Sequence, residues 1–211
     1  MTSYKLILNM ENYENEGLIF ENLKNILKIL EENKSRNKTL WFGISGSWRN
    51  TSEQVEKDVR ETTSTILRRG HGIVSGGALN VDYFATDEAL RINPTADKIR
   101  IYLPVTLKLY LAHYRKRAKE GVITSKQAEN LGSQLENLQK TNYKALICNP
   151  RNKEVNSETY FERNTKIVDA SDAILAFQVN GSEGVEDTCK KALQQKKPIC
   201  LHRYKIDHFY K

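Results

Sequence analysis

Cysteine is scarce in this 211-residue chain: only Cys148, Cys189 and Cys200 occur. They are far apart, form no CxxC pair and cannot all pair with one another. That excludes a disulfide-stapled scaffold and fits a reducing compartment. Cys148 and Cys200 lie in the apolar runs Leu146-Ile147-Cys148 and Ile199-Cys200-Leu201, where a thiol acts as a small buried hydrophobe rather than a nucleophile. No stretch approaches the roughly eighteen consecutive apolar residues of a membrane helix, so no membrane association is expected. The opening Met1-Thr2-Ser3-Tyr4-Lys5 lacks the basic-then-apolar order of a secretory signal, and a cytoplasmic location is the expectation. The four histidines, His71, His113, His202 and His208, show no metal-ligand spacing with Cys or Glu. A GxSxG nucleophile elbow, a GxxxxGK[ST] phosphate loop and a strict GxGxxG fingerprint are all missing. Neither a metal nor a resident cofactor is therefore expected.

What is present is ordinary for a globular protein, with 39% hydrophobic and 28% charged residues. A chain this long buries a core without staples, and with no internal repeat or low-complexity linker the expectation is one domain over residues 1–211. The formal charge is +7, and it is unevenly spread. Between Arg91 and Lys144 eleven Lys/Arg face four Asp/Glu, a surplus equal to that of the whole chain. Much of it lies in Arg115, Lys116, Arg117 and Lys119, either a face that contacts nucleic-acid phosphates or the solvated side of a helix.

Leu18, Ile19, Leu23, Ile26, Leu27 and Leu30 recur at three- and four-residue spacing, which predicts an amphipathic helix within an N-terminal extension, residues 1–38. After it, short apolar runs alternate with helical patterns. Strands are expected at Leu40–Ile44, Gly72–Ser75, Ile99–Leu103, Ala145–Cys148, Ala173–Phe177 and Pro198–Leu201. Helices are expected at Ser52–Arg69, Val81–Arg91, Tyr160–Ala170 and Gly184–Lys196, with Ser52 and Ser157 as caps. The segment 107–142 reads as a basic helical insertion broken near Gly121: a lid, a partner surface or a hairpin packed on the sheet. Such alternation implies an α/β fold, a Rossmann-like three-layer sandwich with a mainly parallel sheet and helices on both faces.

In such a sheet ligands bind beyond the carboxyl ends of the strands, where helix N-termini offer unpaired N–H groups. Glycine-bearing segments occupy that position at three places. In Gly43-Ile44-Ser45-Gly46-Ser47-Trp48-Arg49, Gly46 lets the backbone approach a phosphate, Ser47 offers a hydroxyl and Arg49 a charge. In Ser75-Gly76-Gly77-Ala78-Leu79-Asn80-Val81-Asp82, Gly76 and Gly77 leave room against bare backbone. Asp82 there is either a ribose contact or a carboxylate accepting first-turn amides. In Asn180-Gly181-Ser182-Glu183-Gly184, glycines flank Ser182 at a helix start.

The order of these motifs resembles the superfamily that joins DNA-processing protein A (Smf) with the LOG phosphoribohydrolases, the SLOG domains. The matching elements are Ile44–Arg49, then Ile73–Ala78 with Val81, Asp82 and Ala85, then Phe161–Val168 leading into Ser171–Leu175, and Gly181–Gly184. They span about Leu40 to Leu201, leaving out the extension and the basic segment. The resemblance implies a nucleotide or nucleotide-derived phosphate ligand at the loops, single-stranded DNA as a further partner, and a homodimer or higher homo-oligomer. It also makes Arg163 the arginine that reaches into the pocket, with Asn164 following it. From its own helix, Glu162 or Asp169 could instead engage Arg163 in surface pairs. The chain departs from the PGGxGTxxE signature of the LOG enzymes: aligning its glycines on Gly181 and Gly184 puts Thr188 at the catalytic Glu. That demotes N-glycosidic hydrolysis below plain binding and leaves Glu186, Asp187 and Arg163 as the catalytic candidates.

Overall fold

A computed structural model describes residues 16–33 and 38–206, with side chains from Leu23 onward. The expectations placed on Met1–Lys5, on His208 and on the side chains of Leu18 and Ile19 lie outside the described residues. The first helix, α1 (Glu16–Asn33), precedes a regular alternation: β1 (Trp41–Gly46), α2 (Glu53–Arg68), β2 (Gly72–Ser75), α3 (Val81–Ile92) and β3 (Ile99–Leu103). Then follow α4 (Leu107–Lys119), α5 (Ser125–Thr141), β4 (Leu146–Cys148), α6 (Ser157–Asp169), β5 (Ala173–Val179), α7 (Glu183–Gln194) and β6 (Ile199–Tyr204).

All neighbouring strands are parallel, in the order β4-β3-β2-β1-β5-β6. The protein is thus an α/β Rossmann-like sandwich, as the alternation of apolar runs implies. The interior strand β5 is buried at all seven positions and β2 at all four, which is why both read as unbroken apolar runs rather than as alternating ones. Right-handed crossovers put α2, α3, α4 and α5 on one face, because those connections step outward from β1; α6 and α7 return on the other face. α2 packs on α3, α6 on α7, and α1 on α2 and β6.

Local sequence sets the helix ends. Ser52 caps α2 by accepting from the Val55 N–H at 3.3 Å, the expected role. At α6 the cap is Asn156 rather than Ser157: Asn156 Oδ1 accepts from the Thr159 N–H and Thr159 Oγ1 from the Asn156 N–H, both at 3.0 Å. A reciprocal box satisfies two helix-end donors, which a serine one position later would not do. The segment 107–142 is a helical hairpin built into the core. Tyr110, Leu131, Leu135 and Leu138 are fully buried, and Gln134 Nε2 donates to the Tyr83 carbonyl on α3 at 3.1 Å. Arg115, Lys116 and Lys119 lie on the exposed side of this packed element.

On β6, His202 is buried against the Phe177 ring, with centroids 5.3 Å apart, and its Nε2 lies 3.0 Å from Cys200 Sγ. Burial pushes the imidazole down from 6.5 to about 4. The folded state therefore holds the neutral ring. Its contribution is intact above the unfolded value of 6.5 and is lost as pH falls through about 4. A difference of this size is worth about 3 kcal/mol. Urea midpoints measured from pH 7 down to pH 4 should drop steeply in the parent and less steeply in His202→Gln; superimposable profiles would assign the acid sensitivity to other groups.

Candidate functional site

The chain runs outward from β1 to β4 and then returns to place β5 on the other side of β1. Loops leaving β1 and β5 therefore diverge and open a crevice at the carboxyl edge, the place where open α/β sheets take ligands. A cleft of about 750 Å³ lies there. The β1 loop contributes Gly46, Ser47, Trp48 and Arg49; the β5 loop contributes Asn180, Ser182 and Gly184. Asp82 from α3, Arg117 and Tyr114 from α4, and Tyr160 and Arg163 from α6 complete the walls.

Arg163 is the centre of this arrangement. Its side chain is only 9% exposed, and its Nη1 faces Asp82 Oδ2 at 3.5 Å. A Cβ at position 76 would land on that Nη1, so glycine at 76 makes room for the guanidinium. The room that the sequence reading gave to a ligand against bare backbone is taken at Gly76 by an arginine side chain. Gly46 likewise admits Val81, which allows α3 to pack tightly on β1. Gly77 has φ +63°, the left-handed turn region that side chains rarely adopt.

Asp82 accepts from the Ala78 N–H at 3.1 Å. It is therefore both a loop clamp and the counter-ion of Arg163. Burial dominates its acidity and pushes its pKa up; Arg163, the Ala78 N–H, the Ser75 hydroxyl and the Gly76 N–H pull the other way. Arg163 does not pair with its helix neighbours. Glu162 binds Asn149 and Asn152, and Asp169 accepts from Gln195. The guanidinium also lies 5.4 Å from the Tyr160 ring centroid, and its buried Nε has no partner.

Several residues singled out from sequence hold the loops rather than face a ligand. Ser47 Oγ accepts from the Val179 N–H at 2.8 Å and donates to the Val179 carbonyl at 3.2 Å, so its hydroxyl stitches the β1 loop to β5. Asn164 Nδ2 donates to the Gly184 carbonyl and to Asp187 Oδ2, fastening α6 to the start of α7. Asp187 also takes Lys191 at 2.7 Å, and Glu186 lies 3.4 Å from Gln178 Nε2; neither carboxylate lines the cleft. Thr188 is fully buried and donates to the Gly184 carbonyl at 3.0 Å, so the position aligned with a catalytic Glu points into the protein. Ser75, Gly77 and Gly181 do not line the cleft either. Of the basic run, Arg117 lines it while bonded to Glu120 at 2.9 Å; Arg115, Lys116 and Lys119 are exposed and do not.

The structure adds residues that the motifs omit. Tyr110 and Tyr114, one turn apart on α4, bring their hydroxyls within 3.4 Å, and burial pushes both phenols well above their ordinary pKa. His113 meets the rings of Tyr114 and Tyr160 edge-on. The spacing of Tyr160 and Arg163, three apart on one helix face, is the sequence signal that could have found this wall. Asn80 holds φ 59°, uncommon for a side-chain-bearing residue, and donates to the Trp48 carbonyl at 2.7 Å, tying the β2 loop to the β1 loop. Among the described residues no three His, Cys, Asp or Glu side chains gather in a metal-binding arrangement, and no helix is long and apolar enough to cross a membrane.

No protein-family model matches this sequence, and no curated protein matches it. Solved structures do. The chain is similar to DNA processing protein A from Helicobacter pylori, described for its single-stranded DNA binding mode, with a TM-score of 0.58 and 16% identity over 82% of this chain and 69% of that one. It is also similar to the molybdenum cofactor binding protein from the phototrophic bacterium Rippkaea orientalis, with a TM-score of 0.52 and 16% identity over 80% of this chain and 78% of that one. At this identity the likeness shows the fold.

The geometry makes Gly76 a steric requirement of the Arg163–Asp82 pair. Gly76→Ala should expel the guanidinium and leave a buried carboxylate uncompensated, costing about 3–5 kcal/mol in urea denaturation. Adding Asp82→Asn should recover part of that loss. A Gly76→Ala protein as stable as the parent would show that the pair is not held as described.

Proposed function

We propose that this protein is a binding module for a nucleotide or nucleotide-derived phosphate ligand, held in the cleft between the β1 and β5 loops. One observation carries the reading: a guanidinium nine-tenths buried that lines the cleft and faces a single carboxylate, at 3.5 Å. A buried arginine with unused donors is a site prepared for an anion, since its planar fork matches phosphate oxygens. Further support comes from the start of α7, where the Ser182 side chain makes no cap bond and the Val185 N–H is held by the Ser182 carbonyl, leaving the Glu183 and Gly184 amides for an anion. The walls around Arg163 supply aromatic surface from Tyr114, Tyr160 and the exposed Phe161, with Arg49 stacked 4.8 Å from the Trp48 ring centroid. Rings beside cations suit a base joined to a phosphate.

The single-stranded DNA reading is the weaker one here, because three of the four cations expected to track a strand lie outside the cleft. Arg163→Lys keeps a charge beside Asp82 but loses the fork, and Arg163→Ala loses both. Calorimetry with nucleoside 5′-monophosphates should show affinity reduced about 10- to 100-fold in each variant, the worth of a charge-assisted hydrogen bond. Unchanged affinity in folded variants would remove Arg163 from the site.

Hydrolysis of the N-glycosidic bond fits the cleft poorly. Its carboxylates are Asp82, paired with Arg163, and the exposed Glu183 on the rim. An oxocarbenium-like centre needs a placed carboxylate, and acid–base help is worth about 10²–10⁴-fold. Chromatography after incubation with each nucleoside 5′-monophosphate should show no free base. Base release that vanishes in Glu183→Gln would make the protein an enzyme instead.

A further inference from the structure

Arg163 lines a second cavity besides the cleft, of about 270 Å³, at the carboxyl ends of β3 and β4. Its origin is in the topology. Among the described helices, α6 and α7 return across this face, and α6 packs on β3. The register partners Tyr102 and Ile147 are therefore left half-buried at the edge of the sheet. Leu103, Pro104 and Ile147 line it with apolar surface, and Arg151, Lys166 and Arg163 add positive charge.

Of these three cations Arg163 faces Asp82, and the charge on the other two is not paired: neither Arg151 nor Lys166 has an ion pair among the described residues. The one carboxylate present, Glu162, has one oxygen bonded to Asn149 at 3.1 Å and the other to Asn152 at 2.8 Å. The unpartnered Nε of Arg163 belongs to the side chain that both spaces share. By itself this cavity is smaller than the roughly 300–1,000 Å³ of ordinary ligand pockets, so it suits one part of a ligand. Apolar surface beside cations suits a flat ring carrying a phosphate.

The geometry points to a second ring-binding subsite, so that the ligand is a dinucleotide with one ring system in the cleft, the other in the side cavity and the bridging phosphate on Arg163. This inference rests on the nucleotide reading of the cleft and extends it. A free dinucleotide and a step within a longer strand share this chemistry.

The experiment is calorimetry with AMP, GMP, CMP and UMP, the matching linear dinucleotides pApA, pGpG, pCpC and pUpU, and ten-residue oligonucleotides of the same bases. Two variants accompany the parent: Ile147→Trp, which fills the side cavity, and the surface pair Arg151→Ala with Lys166→Ala, which removes rim charge and leaves the core alone. On the parent at least one dinucleotide should bind about tenfold or more tighter than its mononucleotide, the order expected for stacking one more base. Both variants should lower the dinucleotide to the mononucleotide's affinity and leave the mononucleotide unchanged. A further rise with the ten-residue strand would make the strand the source, with the subsite intact. Mononucleotide binding with no dinucleotide advantage, or an advantage surviving both variants, overturns the subsite alone. No binding of any probe overturns the nucleotide reading, and the subsite with it.

Discussion

The Arg163 guanidinium occupies the space that a side chain at position 76 would fill, and it faces a carboxylate that the β2 loop holds in place. Three elements meet at that contact: Gly76 on the loop after β2, Asp82 in the first turn of α3 on one face of the sheet, and Arg163 on α6 from the other face. Removing two ions from water costs several kcal/mol each, and a single ion pair at 3.5 Å repays that incompletely. The pair is therefore weak as a source of stability but costly to break on one side. What it secures is position, because neither partner can leave without stranding the other.

Around this pair the polar side chains divide into two sets. Ser47, Asn80 and Asn164 direct hydrogen bonds at backbone carbonyls or amides of neighbouring elements, and so fix the β1 loop to β5, the β2 loop to the β1 loop, and α6 to the start of α7. Arg49, Arg117 and Arg163 keep charge at the cleft, and Tyr114 and Tyr160 keep ring surface there. Such a division lowers the ordering cost of binding, since groups that would otherwise have to be immobilised are already held. It also explains why the glycines and small polar residues of the motifs are needed even where they touch no ligand.

The under-covered edge of the sheet follows from a count of crossovers. Connections stepping outward from β1 supply four helices to one face, whereas the return supplies two to the other. The first face closes over a continuous core reaching from Leu27 to Leu138. The second leaves the carboxyl ends of β3 and β4 open beside Arg163. The site is thus a consequence of the same topology that builds the core.

From the sequence alone the alternation was legible, because a strand buried on both faces must read as a short apolar run and an amphipathic helix must repeat at three and four residues; Ile73–Ser75 and Ala173–Phe177 are strands for that reason. The three loops were legible too, since a strand, a glycine turn and a helix start lie within a few residues. Only tertiary structure decided what each loop residue touches. Asp82 and Arg163 are 81 positions apart, and no local pattern distinguishes a glycine that admits a ligand from Gly76, which admits an arginine arriving from the opposite face. Ser47 showed a free hydroxyl in sequence and is taken by Val179, 132 residues away. The basic run read as one surface, but the helix carries its residues in different directions, and of Arg115, Lys116, Arg117 and Lys119 packing turned Arg117 alone into the cleft. Periodicity is a property of neighbours along the chain and is written locally; contact partners are chosen by strand order and crossover hand, which no short segment contains.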